Sequence, residues 1–265
     1  MKVLYIAPGN SIHSKKWIET INSLYPNEKY FWYSFEKFTF SIDKRINYFQ
    51  NQNFSNHKLI NLIKSLYVIL KLQITYKFDL VHIHSIGTYS LFSLIPIIFR
   101  IPYIATPWGS DIIFGSRNLV KKIILSFVLN QAKLTTCDAV HISKLIKKIC
   151  PKAKPQIINF GIDTSFFAST KKNEFNNETF FLLSNRNHEH IYNLKTLIKS
   201  AKLLKENNIK FKLTVSASGT ETPYLKKLSK KFGLKNDINF TGRYDYDDLP
   251  EILNLHHIYI STSLS

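Results

Sequence analysis

FFLLSNRNHEHIYNLKTLIKSAKLLKENNIKFKLTVS, residues 180–216, holds one complete repeat of the fold. The short apolar run 180–184 predicts a buried strand, the amphipathic stretch 192–206 a helix, and 211–216 the next strand. Strands joined by a helix lie parallel, and their crossover is right-handed. Outward from this unit the alternation continues in both directions. Downstream it predicts a helix over 221–232, a strand over 238–240, a helix over 246–255 and a strand over 258–262. Upstream it predicts strands over 3–7, 30–34, 80–84, 103–106, 134–137 and 156–159. Helices fall between them, over 13–24, 58–76, 89–99, 118–130 and 143–149, the last with Ser143 as its N-cap. The class is α/β. STKKNEFNNET, residues 169–179, is polar and aperiodic, and separates an expected first domain, 1–168, from a second, 180–265. A final parallel strand needs a covering helix. The second domain therefore reads as incomplete, with a C-terminal piece missing.

The 265 residues are 45% hydrophobic, enough for two cores. Cys137 and Cys150 have neither CxxC nor metal-ligand spacing, which excludes a disulfide scaffold or zinc module and points to a reducing, cytoplasmic setting. MKVLYIAPGN reads as a strand entering a turn, not a signal peptide. The net charge of +18 requires a basic surface. Lysines recur on predicted helices, at Lys64 and Lys71, Lys121 and Lys122, and Lys144, Lys147 and Lys148. Two readings stay open: solvated faces that keep an apolar protein soluble, or a dock for acidic lipid head groups on the inner face of the cytoplasmic membrane. No nucleic-acid-binding motif occurs, so nucleic acid is not an expected partner.

In an open parallel sheet ligands sit at the carboxyl ends of strands, where loops lead into helix N-termini. After the first strand, APGNSIHS (7–14) sets Gly9 and Asn10 where backbone amides can approach a phosphate, with His13 close by. TPWGSD (106–111) packs Trp108, Gly109 and Asp111 into one loop. Trp108 is either a core plug or a flat face for a sugar ring, and Asp111 can accept hydrogen bonds from hydroxyls. INFGIDTSFF (158–167) ends the first half as an interdomain staple or a ligand contact. Within LSNRNHEHIYNL, Arg186 stands at a strand end, with Asn193 and Lys195 at the next helix start. An arginine fork there clamps a diphosphate without a metal.

Together TPWGSD, the basic helix after it, INFGIDTSFF, the Arg186 loop with IYN, SASGTETPYLKKL, and FTGRYDYDDLPEIL through IYISTSLS resemble glycosyltransferase family 4, retaining enzymes of the GT-B fold with two Rossmann-like domains. The similarity covers essentially the whole chain. It implies transfer of a sugar from a nucleoside-diphosphate sugar to an acceptor hydroxyl, on a cell-surface polysaccharide or a lipid-linked glycan. The nucleotide sugar would be a co-substrate, with no cofactor and no metal. The resemblance places the loop at Gly9 and Asn10 facing the donor phosphates and the acceptor, Arg186 on the diphosphate, Gly219 beneath the nucleotide, and Gly242 and Arg243 beside the base. It makes Trp108 and Gly109 part of the acceptor-side loop. Where many members have a histidine this chain has Trp108, leaving His13 and Asp111 as catalytic candidates; where many have a lysine it has Tyr192 and Asn193, leaving Lys195 as the substitute cation. The family continues past IYISTSLS into a donor-binding segment, so weak donor binding and poor turnover are expected of these 265 residues. Two alternatives remain: a non-catalytic remnant or half of a split enzyme, and a GT-B nucleotide-sugar epimerase or hydrolase.

Overall fold

The computed structural model describes residues 1–50, 57–115, 117–168 and 178–264. The chain divides into two compact units, Met1–Gly161 and Ile162–Ser265. All but the last two residues of the expected linker, 169–179, lie outside the described residues.

The first unit runs β1 (Lys2–Ile6), α1 (Ile12–Leu24), β2 (Lys29–Ser34), β3 (Ile46–Gln50), α2 (Lys58–Tyr76), β4 (Leu80–His84), α3 (Ile86–Tyr89), a 3-10 turn (Ser90–Ser93), α4 (Leu94–Ile98), β5 (Tyr103–Thr106), α5 (Ser110–Gly115), α6 (Leu119–Gln131), β6 (Leu134–Cys137), α7 (Val140–Ile149) and β7 (Pro155–Ile157). Its seven strands pair in the order β3-β2-β1-β4-β5-β6-β7, every pairing parallel. Tyr5, Tyr30 and Trp32 pack with Ile18 of α1 in one buried cluster. Leu4, Ile6 and Ile83 pack with Ile69 of α2, Phe92, Leu125 of α6 and Ile146 of α7 in another. Consecutive strand side chains point to opposite faces, so the two clusters are the two faces of one sheet.

The second unit runs β8 (Phe180–Ser184), a 3-10 turn (His190–Tyr192), α8 (Leu194–Glu206), β9 (Phe211–Ser216), α9 (Thr222–Lys231), β10 (Ile238–Gly242), a 3-10 turn (Tyr246–Asp248), α10 (Leu249–Asn254) and β11 (Ile258–Tyr259). Its parallel order is β10-β9-β8-β11. Leu182, Leu213 and Val215 bury against Leu197, Ile198 and Ala201 of α8 and Leu225 of α9. Phe166 stacks on Tyr246, with centroids 5.4 Å apart, inside this unit.

The α/β class and the parallel sheets are as the alternation predicts, with four local corrections. β3 was not expected. TPWGSD is not all loop, because α5 begins at Ser110. The single helix expected over 89–99 is three short pieces: Pro96 lacks an N–H, which only a first helical turn tolerates, so the chain restarts as α4 two residues earlier. Ser143 is not an N-cap. α7 starts at Val140, and the Ser143 N–H donates to the Ala139 carbonyl inside it.

Candidate functional site

Each sheet has a point where strand order reverses, and chain leaving the two strands there diverges to leave a crevice at their carboxyl ends. In the first sheet that point lies between β1 and β4; in the second it lies between β8 and β11.

At the first point the loop after β1 carries Gly9, Asn10 and His13. The Gly9 N–H donates to Ser34 Oγ at 2.7 Å, and a Cβ on Gly9 would come within 2.8 Å of both Ser34 Oγ and the Phe38 ring. Glycine is needed here because β2 approaches closely, and its amide is already bonded within the fold. Asn10 is exposed. His13 opens α1, whose N-cap Ser11 accepts from the His13 N–H. His13 is exposed, with its ring 5.1 Å from that of Phe160 and 6.0 Å, edge on, from that of Trp108. Desolvation on the side of these neighbours, then the charge of Lys16, lowers its pKa, which keeps the imidazole neutral near pH 7.

The fold brings the His13 and Trp108 rings together, and in the same loop stands Asp111, the other catalytic candidate. Its carboxylate turns back onto its own loop, accepting from the backbone N–H of Trp108 at 2.9 Å and of Ile112 at 3.0 Å. It fixes the start of α5, whose entry also needs Gly109 at φ +93°. Burial outweighs those hydrogen bonds and raises the Asp111 pKa to about 6. Asp111 also lines a cavity of about 490 Å³ with Phe35, Ser85, Leu91, Lys121 and Ile124.

Sequence reasoning missed His82 and His84. Two residues apart on β4, they share one face and lie 4.4 Å apart, with Trp17 edge on to both. His82 Nε2 bonds Thr106 Oγ1 at 2.7 Å. His84 is fully buried with neither ring nitrogen hydrogen-bonded, and the Trp108 indole N–H beside it is likewise unsatisfied. Burial lowers the His84 pKa to about 3. The signal was present: polar rings at alternate positions of an apolar strand, at its carboxyl end.

At the second point Arg186 follows β8. Its Nε donates to Ser261 Oγ, just past β11, at 3.2 Å, and its guanidinium lies 5.9 Å from the centre of the Tyr192 ring. The Asn185 amide donates to Tyr244 Oη and its Oδ1 accepts from Tyr259 Oη, tying β8 to both neighbouring segments. Asn193 adopts φ +48° as the N-cap of α8, and Lys195 is exposed in that helix's first turn.

The next loop is fixed by contacts the sequence did not reveal. A Cβ on Gly219 would lie 2.5 Å from the His188 carbonyl oxygen and from Glu189 Oε1. Glu189 accepts from the N–H and hydroxyl of Thr220, which hold its pKa down. Buried His188 bonds Thr222 Oγ1 and the Ser216 carbonyl. Gly242 ends β10 at φ +81°, and Arg243 Nε donates to Ser218 Oγ at 3.0 Å. Arg186, Asn193, Lys195, Gly219, Gly242 and Arg243 thus all stand at the carboxyl edge of one sheet, beside the N-termini of α8 and α9. Helix N-termini and exposed guanidinium groups favour an anion. Among the described residues no group of three or more His, Cys, Asp or Glu could hold a metal ion.

Two parallel α/β units with switch-point crevices define the architecture of the GT-B glycosyltransferases. Residues 2–139 match the family described as "Glycosyl transferase 4-like" and residues 165–265 match "Glycosyl transferases group 1". The chain belongs to the glycosyl transferase 4-like family and is a glycosyltransferase. No curated protein matches its sequence. Among solved structures it is similar to a sucrose-phosphate synthase from Thermosynechococcus elongatus, with TM-score 0.80 and 11% identity over 99% of this chain and 75% of that one. It is also similar to Anabaena Alr3699/HepE in complex with UDP and glucose, with TM-score 0.74 and 15% identity over 100% and 75%. A third, WaaG, a glycosyltransferase involved in lipopolysaccharide biosynthesis, gives 0.73 and 11% over 99% and 75%.

Proposed function

We propose that the chain binds a nucleoside-diphosphate sugar at the carboxyl edge of its second sheet and passes the sugar, with retained configuration, to a hydroxyl of a cell-surface or lipid-linked glycan. The observation that carries the donor site is Arg186. It stands at the switch point, bonded to Ser261 and set against Tyr192, beside the N-terminus of α8. Its remaining N–H donors suit two phosphate oxygens, and Lys195 adds positive charge. Gly219 and Gly242 shape the turns on which a nucleoside rests, with Arg243 at its rim. The diphosphate needs no metal in this reading, because the cations and helix N-termini supply the positive charge.

In the first unit, His13, Asn10 and Trp108 surround the place for the acceptor, with His13 neutral and able to relay a proton. Asp111 acts by holding the Trp108 loop. Free, buried Cys137 and Cys150 support a cytoplasmic site of action.

The test is a calorimetric titration with UDP, GDP and ADP in parallel. One of the three is expected to bind, and Arg186→Ala to weaken it. A charge-assisted hydrogen bond contributes about 1.5–3 kcal/mol, so the loss is about 10- to 150-fold. Unchanged affinity in the variant would remove Arg186 from the site.

A further inference from the structure

The two units differ in charge. Met1–Gly161 carries 21 of the 36 basic residues but only 7 of the 18 acidic ones, a net +14. Three neighbouring elements of this unit, α2, the 3-10 turn with α4, and α6, cover one face of its sheet. α2 packs against α4, and the 3-10 turn against α6. Their inward residues, among them Ile69, Phe92 and Leu125, lie in the core. Their outward residues are also apolar: Ile63, Tyr67, Ile74, Ile98, Leu119 and Ile123 are each between 59 and 73% exposed. Lys64, Lys71 and Lys121 stand exposed on the same elements and Arg100 in the turn just after α4, and no Asp or Glu occurs in residues 58–76, 86–100 or 119–131.

An ordinary solvated face mixes both signs of charge and carries few large apolar side chains. A face of leucine, isoleucine and aromatic residues whose only charges are cations has the make-up of an interfacial surface: apolar groups enter the acyl boundary while lysine stems lie along it and their ammonium groups reach lipid phosphates. Leu59–Tyr76 is long and apolar enough to cross a membrane by composition. Yet its buried side includes Asn61, Ser65 and Gln73 as well as Ile69 and Leu72, so one side of α2 packs within the fold instead of facing lipid all round. Leu91, Lys121 and Ile124 of the same elements also line the 490 Å³ cavity.

We propose that the α2–α4–α6 face docks this chain on an anionic lipid bilayer. The occupant is the bilayer because the face offers only positive charge around its apolar residues. The proposal goes beyond the donor reading, and its failure would leave donor binding by the second unit untouched.

The experiment is vesicle co-sedimentation of the full chain. Binding to equimolar phosphatidylglycerol and phosphatidylcholine is expected, with little to phosphatidylcholine alone. The double variant Ile63→Glu, Ile123→Glu should lower partitioning about tenfold or more. A control that makes the same charge change on the second unit, Lys199→Gln with Lys230→Gln, should lower it far less. Equal unfolding temperatures and equal nucleotide binding show that the variants are folded. The proposal is overturned if the chain ignores anionic vesicles, if both double variants weaken binding equally, or if light scattering shows a dimer that only the Ile63, Ile123 variant dissociates.

Discussion

Gly219→Ala puts the geometry of the second edge to a direct test. Gly219 has an ordinary backbone conformation, so an added methyl brings crowding and no torsional strain. That Cβ would lie 2.5 Å from Glu189 Oε1 and 2.5 Å from the His188 carbonyl oxygen. The carboxylate can swing aside, at the loss of its bonds to Thr220. The carbonyl cannot, because it accepts the Glu221 N–H at 2.8 Å and follows a histidine pinned at both ring nitrogens. The backbone after β9 must then shift by several tenths of an ångström. Overpacking of this kind costs about 1–3 kcal/mol, and in a unit of this size each kcal/mol lowers the unfolding temperature by about 4–8 °C. Calorimetric melting of the full chain reads the loss in the second unit's transition, and nucleotide affinity should fall alongside it by about tenfold. A melting temperature within about 2 °C of the parent, with affinity unchanged, would refute the claim that the loops after β8 and β9 are locked together.

Other consequences follow from the first unit. Ser34→Ala removes the acceptor of the Gly9 N–H and a partner of the Glu36 N–H, and should destabilise the first unit by about 1–3 kcal/mol in urea unfolding. The Asp111 pKa is raised in the folded state from 3.8 to about 6, so the folded chain binds the extra proton. Its contribution therefore falls as pH rises from about 4 to 6 and is flat above, by up to about 3 kcal/mol. Asp111→Asn should remove that slope, so that it appears in the difference between parent and variant unfolding curves. A slope of opposite sign would contradict the burial that sets the shift. Trp108→Phe deletes an indole N–H that has no acceptor. It should leave stability within about 1.5 kcal/mol by thermal melting, since the ring edge against His13 and His84 remains.

The α/β alternation was legible because buried parallel strands are short apolar runs and their crossover helices amphipathic, as in residues 180–216. β3 escaped because an edge strand buries little: of INYFQ only Ile46 is buried. α5 escaped because six residues after Pro107 and Gly109 show no helical period, and what starts the helix is the Asp111 carboxylate folding back on the Trp108 amide. The carboxyl-end loops were legible as places, since parallel topology fixes where loops converge. Side-chain pairings within them were not. Glu189 with Thr220, or Asn185 with Tyr244 and Tyr259, are 31, 59 and 74 residues apart. They depend on strand order, which local sequence does not encode. Strand order also separates Arg186 from an ordinary surface arginine, because only the β8–β11 neighbourhood brings Ser261 to it.

The central claim, a nucleoside-diphosphate sugar held at the carboxyl edge of the second sheet, is tested most directly by backbone hydrogen exchange with and without the best-binding nucleoside diphosphate. The account predicts slower exchange in residues 185–196, 217–222 and 242–246, with the core of β8 and β9 unchanged. Protection absent from all three segments while the nucleotide binds would contradict it.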